Sequence, residues 1–222
     1  MRKFLPTPSE LYHVFNRGTE KRTIFENQRD YQRFIVNMVL FNSELEPPRN
    51  ISRYGINPAC QKIPTDPLVK IHTFTLLPNH FHLELEQTAT SGIAKFMHKL
   101  EMGYSHFFNL RHSRSGNLFQ GQYKMVMGDT DAYYLYLPLY IHLNPLELLP
   151  SERYWKEAGV QNKDESIRFI SNYPWSGLQE YLRAGTFPFL SHDVIDRLYP
   201  SATDWIQAIR EWLPDNSSNF QF

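Results

Sequence analysis

The chain has 222 residues with 23 basic and 23 acidic side chains, which cancel, so its total charge says nothing about partners. Hydrophobic residues at 41% and aromatic residues at 15% are enough for a real core, in one domain with additions or one domain and a small second one. The single cysteine, Cys60, excludes an intrachain disulfide, and no run approaches the ~18 apolar residues of a membrane span, so the expectation is a soluble, cytoplasmic protein.

Residues 11–17 read as a short aromatic and β-branched strand stopped by Gly18. Asn27 or Asp30 can cap a helix in which Tyr31, Phe34, Ile35, Met38 and Val39 recur at helical spacing to about Asn42. Residues 43–68 carry Pro47, Pro48, Pro58, Pro64 and Pro67, a density that forbids a regular element and marks an insertion loop. Residues 68–76 are strand-like, Pro78-Asn79 turns the chain, and a second strand returns as a hairpin partner.

That returning strand alternates without a break. His80, His82, Glu84 and Glu86 point one way, and Phe81, Leu83 and Leu85 the other. Ser91 or Thr90 caps the next helix, whose apolar stripe runs Ile93, Phe96, Met97, Leu100, Tyr104, Phe107 and Phe108. A turn at 113–117 leads to a strand candidate over 118–127, with Gly121 as a bend or bulge. Asp129 or Thr130 caps a helix that Pro145 stops and that Pro138 should kink or deprive of a hydrogen bond. The order β-α-β-β-α-β followed by a helix predicts an α+β fold, an antiparallel sheet backed by helices on one face. Beyond this core, residues 1–150, a mainly helical extension covers 151–222. It has short helices at 178–183 and 192–198, the latter capped by Ser191, a last helix at 202–213 and a loose tail at 217–222.

Charge is unevenly spread. Residues 91–125 hold five basic residues against one acid, and residues 151–222 hold seven basic against ten acidic. A basic middle suits an anion-binding surface confined to it, although ordinary surface charge gives the same mild bias.

His80 and His82 lie about 6.5–7 Å apart on one face of a strand and can converge on a divalent ion. A half-exposed strand that happens to carry two histidines has the same pattern. Tyr140 and Asn144 are four apart on a helix and share a face. A tyrosine hydroxyl can attack phosphorus, and an Asn oxygen could be a hard third ligand beside two imidazoles, a set suited to Mg²⁺ or Mn²⁺. Tyr133, Tyr136 and Tyr140 also form a stripe, which is the usual signature of a helix core. His142, two residues from Tyr140, faces elsewhere and reads as structural.

Five segments occur in order: Tyr12-His13-Val14 with Asn16-Arg17-Gly18; Pro78-Asn79-His80-Phe81-His82; Gly116-Asn117-Leu118-Phe119-Gln120-Gly121-Gln122-Tyr123-Lys124; Tyr140-Ile141-His142-Leu143-Asn144-Pro145; and Tyr173-Pro174-Trp175-Ser176. Together they resemble the single-tyrosine HUH transposases, close to the REP-associated tyrosine transposase branch. The resemblance implies a ferredoxin-like HUH nuclease core, with His80 and His82 as metal ligands, Asn144 completing the metal site and Tyr140 as nucleophile. It implies cleavage of single-stranded DNA near hairpins through a 5′-phosphotyrosine, leaving a free 3′-hydroxyl, by a monomer or homodimer. Phosphate and base contacts then fall to Arg17, Lys95, Lys99, Arg111, Arg114, Gln122, Tyr123 and Lys124.

The chain departs from the family at several points. Asn144-Pro145 continues as Leu146-Glu147-Leu148-Leu149-Pro150, and Leu139, after the unusual Pro138, precedes the nucleophile where the family often has arginine. Glu84 and Glu86 share the histidine face where family strands are often more apolar, and residues 43–68 and those past about 185 have no match in it. A DNA-hairpin binding protein without turnover is the alternative that the changes at Pro138 and Leu139 favour. A metallohydrolase built on His-x-His is a third, and it needs further ligands for which His13 and His72 are poor candidates.

Overall fold

The computed structural model of the chain describes residues 6–7, 10–46, 63–128 and 130–214. Strands β1 (Leu11–Arg17), β2 (Val69–Leu77), β3 (His80–Gln87) and β4 (Lys124–Met127) form an antiparallel sheet in the order β2-β3-β1-β4. Helix α1 (Gln28–Leu40) follows β1 and α2 (Gly92–Arg111) follows β3. This is the expected α+β arrangement, with the two crossover helices packed against each other.

One sheet face carries Tyr12 and Val14 from β1 and Phe81, Leu83 and Leu85 from β3, all fully buried with Phe34 of α1 and Phe96, Leu100 and Tyr104 of α2. An irregularity between Ile71 and Thr73 resets the phase of β2. Without it, Phe74 and Leu76 would turn away from this core.

The opposite face differs from the expectation of helices on one side. His82, Glu84 and Thr75 are buried there too, under α3 (Asp131–Leu143) and the chain that follows it. That cover comprises 3-10 turns at Asn144–Leu148 and Pro150–Glu152 and helices α4 (Trp155–Ala158), α5 (Lys163–Ser171), α6 (Leu178–Leu182), α7 (Ile195–Leu198) and α8 (Ala202–Trp212). Its core joins Leu139, Leu143 and Leu146 to Trp155, Ile170, Leu178, Trp205 and Ile209, so packing runs continuously across residue 150. Trp155 and Trp205 are fully buried. By removing large aromatic and aliphatic surfaces from water they fasten the extension to α3.

The segment Tyr173-Pro174-Trp175-Ser176 fastens the extension at the sheet edge. Leu76 N–H donates to the Trp175 carbonyl at 2.9 Å, Gly177 N–H donates to the Phe74 carbonyl at 2.8 Å, and the Trp175 ring stacks on Tyr31 at 4.5 Å. The exposed edge of β2 is thereby paired.

Local signals mostly hold. Asn27 and Thr130 accept hydrogen bonds from Arg29 and Tyr133 backbone amides as N-caps, while Asp129 lies outside the described residues. Asp30 sits inside α1, where it accepts from Glu26 N–H at 2.9 Å. Ser91 is at the N-cap of α2 in the left-handed region and makes no cap bond; Gln87 Oε1 accepts from Ile93 N–H instead. Helix α3 runs through Pro138 and passes at Asn144 into a 3-10 turn containing Pro145. Of the strand expected over 118–127, only Lys124–Met127 pairs as a strand, because Gly121 turns the chain at φ 72°. Helix α7 is shorter than expected and begins at Ile195. Most of the proline-rich insertion, residues 47–62, and the tail at 217–222 lie outside the described residues.

Candidate functional site

The β1–β3 register brings Phe15 opposite His82 and Arg17 opposite His80. Period two then puts His13, Phe15 and Arg17 on the same sheet face as the two histidines. Helix α3 crosses this face, and its Tyr140 ring stands edge-on to both His82 (centroids 6.0 Å, 89°) and His13 (5.8 Å, 79°). His80 and His82 themselves have ring centroids 5.1 Å apart. Strand, strand and helix thus bring the expected imidazole pair and the expected phenol to the wall of one cavity of about 340 Å³.

Each histidine is held by its Nδ1. His80 Nδ1 is 2.6 Å from Asn79 Oδ1, and Asn79 Nδ2 in turn donates to the Lys21 carbonyl at 3.2 Å. His82 Nδ1 is 2.8 Å from His13 Nε2. His82 Nε2 is buried and has no hydrogen-bond partner among the described residues. Such an atom is costly to bury unless something occupies it.

Burial dominates the ionisation of these rings. His80 is lowered to about 4 by burial, with Glu147 pulling upward and Arg17 and Lys156 adding to the fall. Burial and then Lys156 lower His13 to about 4. His82 is pushed well below its ordinary value, chiefly by burial and further by His13, His80 and Lys156. All three imidazoles are therefore neutral at neutral pH, the form that ligates metal.

These observations fit a divalent cation held by imidazole nitrogen at His80 and His82. Among the described residues no group of three or more His, Cys, Asp or Glu is arranged to hold a metal. From the described residues, a further ligand to such a cation would be an oxygen of another kind, such as an amide, beside water or a substrate phosphate. Asn144 is fully buried and engaged: its Nδ2 donates to the Tyr140 carbonyl at 2.7 Å and its Oδ1 accepts from Lys156 Nζ at 3.0 Å. To serve a cation, that oxygen has to exchange the ammonium for the metal.

Lys156 was not suggested by the sequence. Its place in the four-residue helix α4 gives no pattern that points back to the sheet. Yet its Nζ lies 5.0 Å from the centre of the Tyr140 ring and 2.6 Å from Glu147 Oε1. Both Lys156 and Glu147 line the cavity.

The expected DNA contacts divide between the two sheet faces. Arg17 and Lys124 are exposed and line the cavity, joined by Gln120, and Lys124 Nζ is 5.9 Å from the Phe15 ring centre. Gln122 is exposed nearby, whereas the Tyr123 ring is buried in the α1/α2 core. Lys95, Lys99, Arg111 and Arg114 belong to α2 and the turn after it, in the layer opposite the histidines. Lys95 pairs with Glu44 at 2.6 Å, Lys99 donates to the Ser43 and Leu45 carbonyls, Arg111 lies 3.4 Å from Asp30 and Arg114 donates to Asn109 Oδ1. His142 is structural, as expected: its two ring nitrogens bond to the Thr73 and Ser176 hydroxyls, each at 2.9 Å.

No family model matches the chain, and no curated protein matches it. A solved structure of a REP-associated tyrosine transposase bound to a REP hairpin is similar to it over 85% of this chain and 90% of that one, with 13% sequence identity and a TM-score of 0.49. Among the described residues no helix is long and apolar enough to cross a membrane.

Proposed function

We propose that the chain is a metal-dependent strand transferase that cuts single-stranded DNA beside hairpins through a tyrosyl phosphodiester. The observation that carries this reading is the meeting of Tyr140, His80 and His82 at one cavity, with a bare buried His82 Nε2. His80 and His82 would hold Mg²⁺ or Mn²⁺, with Asn144 as a further oxygen once Lys156 releases it. Such a cation, when bound there, would supply charge that polarises the scissile phosphate and holds its geometry.

The protein's own groups do the rest. Tyr140 Oη attacks phosphorus; the O–P bond forms, the bond from phosphorus to the 3′ oxygen breaks, and that oxygen leaves as a free 3′-hydroxyl carrying the proton given up by the phenol. The phosphodiester energy is retained in the 5′-phosphotyrosine, so rejoining to another strand needs no nucleotide cofactor. Lys156, beside the phenol, offsets negative charge on the phosphate in the cleft. Arg17 and Lys124 take flanking phosphates, and the half-buried Phe15 at the cavity wall offers a ring for an unstacked base.

A hairpin-flanked oligonucleotide labelled at its 3′ end, the part that stays on the protein in a 5′-phosphotyrosine, is incubated with the protein and Mn²⁺ to test this. The expected result is a covalent protein–DNA adduct that disappears in Tyr140→Phe. One observation favours a hairpin binder without turnover: Asn144 Oδ1 is occupied by Lys156. Tight binding with no adduct under any divalent ion would establish that second reading, and hydrolysis surviving Tyr140→Phe would reject both.

A further inference from the structure

We propose that His13 is a positioning residue that fixes which nitrogen of His82 is left bare for a divalent cation. This rests on the metal-site reading above, but it can be tested without turnover. A neutral imidazole has one N–H and one lone pair. At 2.8 Å, His13 Nε2 and His82 Nδ1 share a single hydrogen bond, so one of them donates and the other accepts. Two arrangements are possible. In the first, His82 Nδ1–H donates to His13, and His82 Nε2 is a lone pair. In the second, His13 Nε2–H donates to His82, and His82 carries its hydrogen on Nε2, where it cannot ligate.

Three features select the first arrangement. His82 Nε2 is buried with no acceptor in reach among the described residues, so a hydrogen placed there would be an unpaired donor. His82 cannot swing away to relieve this. Its ring is stacked against His13 (5.0 Å, 18°) and Phe15 (5.7 Å, 26°), and Tyr140 closes its edge. The neighbouring ligand has the same device: Asn79 Nδ2 donates to the Lys21 carbonyl, which turns Asn79 Oδ1, a pure acceptor, toward His80 Nδ1. His80 is therefore Nδ1–H with a bare Nε2. With His13 as acceptor, both histidines carry their lone pair on the same nitrogen, Nε2. His13 itself spends its Nε2 on His82 and is no ligand at that atom; it acts through its neighbour.

The test uses the full chain. Nitrogen-15 spectra of the metal-free protein, with the His82 signal identified by its loss in His82→Asn, should give His82 as the Nδ1–H tautomer. His13→Leu removes the acceptor; it should mix the His82 tautomers and weaken Mn²⁺ binding, measured by calorimetry, about 10–100-fold. His13→Gln restores an acceptor oxygen and should recover most of that affinity. A wild-type His82 found as Nε2–H overturns the proposal, even if His13→Leu fails to fold. So does a folded His13→Leu with unchanged tautomer and unchanged Mn²⁺ affinity. Absence of a Tyr140 adduct in a protein whose Mn²⁺ affinity does depend on His13 would overturn strand transfer and leave this inference standing.

Discussion

The ammonium of Lys156 lies 5.0 Å from the centre of the Tyr140 ring while gripping Glu147 at 2.6 Å. A cation from the extension thus sits beside the phenol of α3, tethered by an acid that shares the same cavity. Replacing Lys156 by Met keeps the stem and removes the charge. Adduct formation should slow by about 10²-fold, with smaller loss of DNA affinity, as read from single-turnover adduct yield against binding. An equal rate would exclude Lys156 from the reaction.

Glu147→Gln takes a negative charge out of the cleft and frees Lys156. Affinity for a single-stranded oligonucleotide should rise, and the rise should shrink with added salt. Lower affinity in a folded Glu147→Gln protein would mean that the acid holds Lys156 in place for DNA.

The basic residues around the cavity should be separable from those on α2. Arg17→Ala and Lys124→Ala should each weaken binding across sequences and lower the salt slope by about 0.7 for each phosphate that is no longer neutralised. Lys95→Ala and Lys99→Ala should leave both nearly unchanged, because their ammonium groups serve Glu44 and the Ser43 and Leu45 carbonyls in the other layer. Salt titrations of the four variants decide this.

His142 predicts a pH dependence of folding. Burial lowers its folded pKa to about 3, whereas in the unfolded chain it titrates near 6.5. The unfolded state therefore takes up a proton first as pH falls. The contribution of His142 is full above about 6.5 and is lost as pH drops toward 3, with a slope of up to about 1.4 kcal/mol per pH unit. Urea unfolding from pH 7 to 4 should show a shallower loss in His142→Gln than in the wild type.

Trp155→Ala should cost about 3–5 kcal/mol, since the ring is fully buried in the extension core. It should also depress adduct formation in the protein that remains folded, because α4 carries Lys156. Trp155→Phe should recover most of the stability in thermal melts.

Much of the sheet was readable because its signals are local. The alternation from His80 to Glu86 needs only neighbouring residues, and the capping oxygens of Asn27 and Thr130 lie within a turn of the amides they serve. What escaped depends on distant pairing. His13 and Phe15 become part of the site only through the β1–β3 register. The basic residues of α2 were visible as a cluster, but which layer that helix occupies is decided by Phe96, Leu100 and Tyr104 packing on Phe81 and Phe34. Lys156 had no signal at all, since nothing near it in the chain says that α4 returns to Tyr140. The polar face of β3 reads as half-exposed in the sequence; α3 covers it instead, backed by Trp155 and Trp205 from far along the chain.

The cover over the histidine face also sets an order of events in the life of the molecule. Val160 N–H bonds to the Pro214 carbonyl, and Trp205 completes the cluster that seats α4. A nascent chain emerging from the ribosome would own its imidazoles and its tyrosine long before it owned a platform for Lys156. On the strand-transfer reading, a working cleft is thereby withheld until α8 has been translated, and a protease that clipped α8 away would withdraw it again.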